Sequence, residues 1–77
     1  MVAGVLIRTL PQKTKEVYWK LKNIEGVANI VQVFGRYDLV VMIRALDVDA
    51  AGKLLTRIRE TEGVTYTETL IAAPPPE

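Results

Sequence analysis

The side chains able to do chemistry in this sequence are few, and the most suggestive of them gather at one turn. Gly35-Arg36-Tyr37-Asp38 sets a phenol and a carboxylate side by side near the middle of the chain. The sequence holds no histidine, no cysteine and no serine. A Ser-His or Cys-His nucleophile is therefore excluded, as are disulfides, thiolate metal sites and the commonest general base. Asp38 and Glu68 are the only carboxylates that fall in or beside an apolar run at a plausible site. Arg8 and Arg44 fall toward the ends of two such runs. There they could bind an anion together, or pair with Glu68 or Asp38. With its carboxylates scattered, the chain is expected not to be an enzyme, to have no catalytic residues, and to need neither metal nor cofactor.

The turn must be positioned by what flanks it. Ala28 to Phe34 leads in and Leu39 to Ala45 leads out, and both runs are rich in β-branched residues. A four-residue link headed by Gly35 reads as a tight hairpin, because glycine takes a positive φ without strain. Before it, Val2 to Leu10 reads as a strand closed by Pro11. Gln12 to Asn23 reads as a helix, with Thr14, Val17, Leu21 and Ile24 on one stripe. After it, Asp47 reads as the N-cap of a helix over Val48 to Glu60, striped by Ala51, Leu54, Leu55 and Ile58. Val64 to Ala72 is the last expected strand. Glu25-Gly26-Val27 recurs as Glu62-Gly63-Val64, each time closing a helix and opening a strand. The order is strand-helix-strand twice, the α+β, ferredoxin-like βαββαβ arrangement. It predicts a four-stranded antiparallel sheet in the order 4-1-3-2 with both helices on one face. Residues 1–72 form the expected domain and residues 73–77 a proline-rich, extended tail.

Composition limits the partners. Ten basic and nine acidic residues leave a net charge of +1, too little for a nucleic-acid footprint. The lysines of the first helix read as a solvated face. The apolar start, Met1 to Ile7, is too short for a signal-peptide core or a membrane span, so a soluble cytoplasmic protein is the expectation. A domain of 77 residues has a thin core and commonly leans on disulfides, metals or partners. Partners are the support left open here. Leu39, Val41 and Ile43 alternate with Val40 and Met42, so the third strand is apolar on both faces. An antiparallel sheet with one wet face should alternate apolar and polar. Something is therefore expected to cover the face without helices, and a homodimer packed sheet against sheet is predicted.

With these elements in place, the chain resembles the RAM domain of the Lrp/AsnC (leucine-responsive, feast/famine) regulators. Gly35-Arg36-Tyr37-Asp38-Leu39 matches the family's Gly-x-Tyr-Asp hairpin. Gly63-Val64-Thr65-Tyr66-Thr67-Glu68-Thr69 matches its Gly-Val-x-x-Thr-x-Thr last strand. The likeness runs from the first strand to the last. Full-length members carry a helix-turn-helix, for which this sequence leaves no room before its first strand; it looks like the stand-alone RAM proteins. DNA binding is therefore not carried over.

The resemblance implies dimers that join into rings such as octamers, and small effectors, typically amino acids, bound between dimers. The implied ligand residues are Gly35, Tyr37, Asp38, Thr67 and Thr69, with Arg36 at a variable position of the hairpin. Asp38 could accept from an ammonium group, and Arg36 could pair with a carboxylate. Thr67 and Thr69 point the same way from one strand. Plain alternatives stand beside these roles: Asp38 as a turn residue bonded to its own backbone, the threonines as ordinary strand formers. Three functions follow as expectations. The first is a ligand-binding regulatory module. The second is a small dimeric enzyme of the same fold. The third is an adaptor pairing with RAM-containing helix-turn-helix regulators.

Overall fold

Alternation decides which side of each strand is buried. In the computed structural model, which describes residues 1–77, β1 (Val2–Thr9) buries Ala3, Val5 and Ile7 and leaves Val2 and Arg8 exposed. β3 (Leu39–Arg44) lies antiparallel to it and buries Leu39, Val41 and Ile43, residues directly opposite Ile7, Val5 and Ala3. Onto this shared face pack α1 (Thr14–Lys22), through Val17 and Leu21, and α2 (Val48–Arg59), through Ala51, Leu54 and Ile58. β2 (Val27–Gln32) and β4 (Val64–Ile71) form the edges, giving the order β2-β3-β1-β4 with every neighbouring pair antiparallel. This is the expected ferredoxin-like arrangement. One continuous core fills the space between sheet and helices. No helix is long and apolar enough to cross a membrane.

Two boundaries fall two residues inside the sequence expectation. α1 begins at Thr14 rather than Gln12, because Gln12 takes a φ of +67° and so cannot start a right-handed helix. β2 stops at Gln32, and Phe34, expected within the strand, is 98% exposed beyond it. The hairpin is therefore longer than a four-residue link: residues 33–38 lie between the strands, closed by the Val33 N–H donating to the Asp38 carbonyl at 2.9 Å. The expected N-cap forms, with the Ala50 N–H donating to Asp47 Oδ1 at 2.8 Å.

The repeated Glu-Gly-Val has a packing reason. Gly26 and Gly63 adopt φ near +100°. A Cβ on Gly26 would lie 2.8 Å from Leu54 of α2, and one on Gly63 would lie 2.7 Å from Val17 of α1. Each junction is thus pressed against the helix of the other half. Each glycine carbonyl also accepts from a neighbouring strand segment, Arg44 N–H at 2.8 Å and Leu10 N–H at 2.9 Å.

The second face of the sheet carries no helix. Val2, Leu6, Val31, Val40, Met42 and Leu70 share it by register. Val2, Val31, Met42 and Leu70 are each 38–52% exposed, so this chain by itself leaves a broad apolar surface in water.

Candidate functional site

The hairpin is held against the sheet by its own last residue. The Asp38 N–H donates to the Ile7 carbonyl at 2.8 Å, continuing the β1–β3 ladder past Leu39. The Asp38 carboxylate accepts from the Thr9 N–H at 2.8 Å and from the Thr9 hydroxyl at 3.2 Å, both on Oδ2. The Thr9 hydroxyl also lies 2.7 Å from that of Thr14, the first residue of α1. Asp38 thus ties the hairpin to the end of β1 and, through Thr9, to the start of a helix. Its carboxylate makes no bond to the backbone of its own turn. Gly35 takes φ +137° with open space where a Cβ would stand, so its backbone is accessible from outside, and Arg36 beside it is exposed.

Tyr37 turns toward the open face. Its hydroxyl donates to Glu68 Oε1 at 2.8 Å. Its ring stacks on Tyr66, with centroids 6.4 Å apart at 27°. The Arg8 guanidinium carbon lies 5.5 Å from the Tyr37 centroid and 5.8 Å from that of Tyr66, within cation–π range of both. Strand register explains the gathering. Tyr66 is opposite Arg8 and Glu68 opposite Leu6, so all three side chains leave the sheet on the side away from the helices. The bond to Glu68, then desolvation, then the carboxylate's negative charge raise the Tyr37 pKa above the ordinary tyrosine value; Arg36 opposes the shift. The phenol is held neutral and donating.

Thr67 and Thr69 lie elsewhere. They are opposite Ile7 and Val5, which puts them, half-buried, on the helix side of the sheet. Thr67 lines a shallow depression of about 320 Å³ with Arg59, Val64, Thr65 and Tyr66. The two threonines do share a face, but the sheet separates them from the Tyr37 ring. Arg8 and Arg44, expected as neighbours, are at opposite ends of the sheet: antiparallel pairing sets Arg44 against Val2. Neither arginine takes part in an ion pair.

The fold coincides with that of a known domain. The Lrp/AsnC ligand binding domain model matches residues 2–74. The chain belongs to this family. As an Lrp/AsnC ligand-binding domain it is 31% identical over 70 residues to the HTH-type transcriptional regulator LysM of Sulfurisphaera tokodaii, covering 90% of this chain and 50% of that protein. The chain thus spans about half the length of the curated regulators it matches. The crystal structure of TTHA0845 from Thermus thermophilus superposes with a TM-score of 0.89 at 34% identity, covering 99% of this chain and 96% of that one. A partial match, 34% identical over 56 residues, covers 73% of this chain and 12% of a homocitrate synthase of Saccharolobus islandicus.

For this Lrp/AsnC domain, sequence reasoning had Tyr37 as a site residue and singled out Glu68 and Arg8 separately, but it did not bring them to Tyr37 and it missed Tyr66. Tyr66 stands in a threonine-rich run where nothing local marks it. What unites Arg8, Tyr66 and Glu68 is the β1–β4 register, which pairs residues nearly sixty positions apart, as the Arg8–Tyr66 pair shows. The one available signal is the alternation of Tyr66 and Glu68, which puts both on one face of β4.

Proposed function

We propose that this domain is an effector-binding regulatory module that recognises an amino acid or a similar small metabolite at an interface between its own subunits. The observation that carries the reading is the Arg8–Tyr37–Tyr66–Glu68 cluster at the rim of an uncovered apolar face. Arg8 has no carboxylate partner, so its fork of donors can take a ligand carboxylate. Glu68 uses one oxygen on Tyr37 and keeps the other for an ammonium group. Two stacked rings supply an apolar wall.

The hairpin residues Gly35, Arg36, Tyr37 and Asp38 would form one wall of the pocket. Thr67 and Thr69 would contribute from a different subunit, since within one chain the sheet lies between them and Tyr37. Sheet-to-sheet pairing of two copies would cover Val31, Met42 and Leu70, and further contacts would join dimers into a ring. The domain would bind rather than catalyse, in the cytoplasm, without touching DNA itself. Its output would be a change of assembly, or of association with RAM-containing transcription regulators. The relatives support this reading: one is named a transcriptional regulator, and the match within a synthase is to a small part of an enzyme chain.

The test is a thermal-shift screen against the amino acids at millimolar concentration, repeated by calorimetry. A ligand at a hundredfold excess over Kd adds about 2.7 kcal/mol, which raises Tm by roughly 10–20 °C in a domain of this size. No shift with any amino acid in either assay refutes the ligand reading. Sedimentation at micromolar protein showing only an 8.6 kDa species refutes the sheet pairing.

A further inference from the structure

The edge of the sheet far from Tyr66 carries a second feature. α1 holds Tyr18 and Trp19 beside β2, and with Lys15, Ile30, Val31 and Gln32 they line a groove of about 550 Å³. The groove continues past Tyr18 and Lys22 along Val27 to Ile30. The two rings meet edge to face, centroids 5.1 Å apart, and Trp19 is 52% exposed. The Lys22 ammonium lies 5.1 Å from the Trp19 ring and 5.6 Å from that of Tyr18. Lysines elsewhere on this helix are occupied: Lys13 and Lys20 both pair with Glu16. Lys15 and Lys22, the two that flank the aromatic pair, have no carboxylate partner.

The chain holds one segment of complementary chemistry. Residues 72–77 follow β4 as Ala-Ala-Pro-Pro-Pro-Glu, exposed and outside every helix and strand. Consecutive prolines favour the polyproline II helix, which docks in aromatic-lined grooves with little ordering cost. Extended in that form, residues 72–77 span about 19 Å, against about 16 Å of β2 edge from Val27 to Gln32. Glu77 supplies the negative charge that Lys15 and Lys22 lack.

The segment cannot fill the groove of its own chain. Ile71 is opposite Ala3, Ala3 opposite Ile43, and Ile43 opposite Val27. Those three strand spacings put the tail's root about 14 Å from the β2 edge, with the whole sheet to round before the groove begins. We infer that the tail Ala73–Glu77 of a second copy of this chain docks in the Tyr18–Trp19 groove, prolines against the rings and Glu77 against Lys15 or Lys22. Such a contact joins two different surfaces, head to tail, and repeats into a ring or a chain of subunits. It does not depend on a bound effector.

Trp19 is the only tryptophan, so its emission reports on this groove alone. It stands on α1, on the helix side of the sheet, and Val31 is the one groove residue that also belongs to the open face. The experiment follows the emission of the full chain against protein concentration and against added peptide of residues 72–77. The expected result is a saturable blue shift. Its midpoint in protein concentration, and in peptide concentration when the peptide carries the changes, should move up by about tenfold or more when Pro74, Pro75 and Pro76 are all changed to serine, and should also rise in Glu77→Lys. Sedimentation should show the triple variant losing assemblies larger than the sheet-paired form. An emission that ignores concentration and peptide overturns the inference. So does a concentration-dependent shift that persists unchanged in the triple variant, which would mean that another surface fills the groove. The substitutions lie in an exposed segment, so loss of folding does not confuse the outcome.

Discussion

Asp38→Ala should destabilise the domain without touching its core. The substitution removes the acceptor of the Thr9 N–H at 2.8 Å and of the Thr9 hydroxyl at 3.2 Å. A hydrogen bond to a charged acceptor contributes about 1.5–3 kcal/mol, and a donor stranded in a part-buried place loses about 1–3 kcal/mol. Both groups here are half-buried, so water recovers a share, and the expected loss is about 1–2 kcal/mol. In a domain of this size that is a fall in Tm of roughly 5–15 °C. Asp38→Asn keeps an acceptor oxygen and should lose about half as much. Urea unfolding at one fixed protein concentration, followed by Trp19 emission and circular dichroism, measures both. A loss below about 0.5 kcal/mol in Asp38→Ala would refute the structural role. Ligand binding in the folded variant then separates the two roles of Asp38. Unchanged affinity confines it to holding the hairpin, and lost affinity makes it a wall of the pocket as well.

The glycines should rank by what surrounds them. Gly26→Ala and Gly63→Ala each combine positive-φ strain of about 1–2 kcal/mol with a clash of roughly 1–3 kcal/mol against Leu54 or Val17. Gly35→Ala carries the strain alone, so urea midpoints should place it well above the other two. Tyr37 should titrate above the ordinary tyrosine value in a phenolate absorbance titration, and Tyr37→Phe should remove that late step. Because the folded pKa is raised, the stability linked to this phenol is fully present below about pH 10 and is lost as pH rises through the folded value. An absorbance titration whose alkaline end is unchanged by Tyr37→Phe would contradict the Tyr37–Glu68 bond.

What could be read from the sequence was what depends on near neighbours. The stripe of Val17, Leu21 and Ile24, the cap at Asp47 and the positive φ at Gly26 and Gly63 are all decided within a few residues, and the structure has each of them. Phe34 shows the limit. Its type favours a strand, but the ladder ends two residues earlier, and it stands out in solvent. The candidate site shows the limit more sharply. Tyr37 meets Glu68 and Arg8 only because β1 lies between β3 and β4, with a register shift at Arg8 and Thr9 that no local pattern encodes. Thr67 and Thr69 share a face as their spacing requires, but which face depends on that same register.

The antiparallel ladder has a consequence for how the domain can be wired to anything else. Ala3 lies beside Ile71, and the Met1 amino group donates to the Ala45 carbonyl at 2.8 Å. A segment joined ahead of Val2 and one joined after Ile71 would therefore leave from the same end of the sheet. The Tyr37 cluster sits at the other end, where Arg8 faces Tyr66. A covalently attached neighbour would thus stand about one strand length, roughly 20 Å, from the hairpin. A signal from effector to neighbour would have to run lengthwise down β1 and β4, or pass through the subunits packed against them.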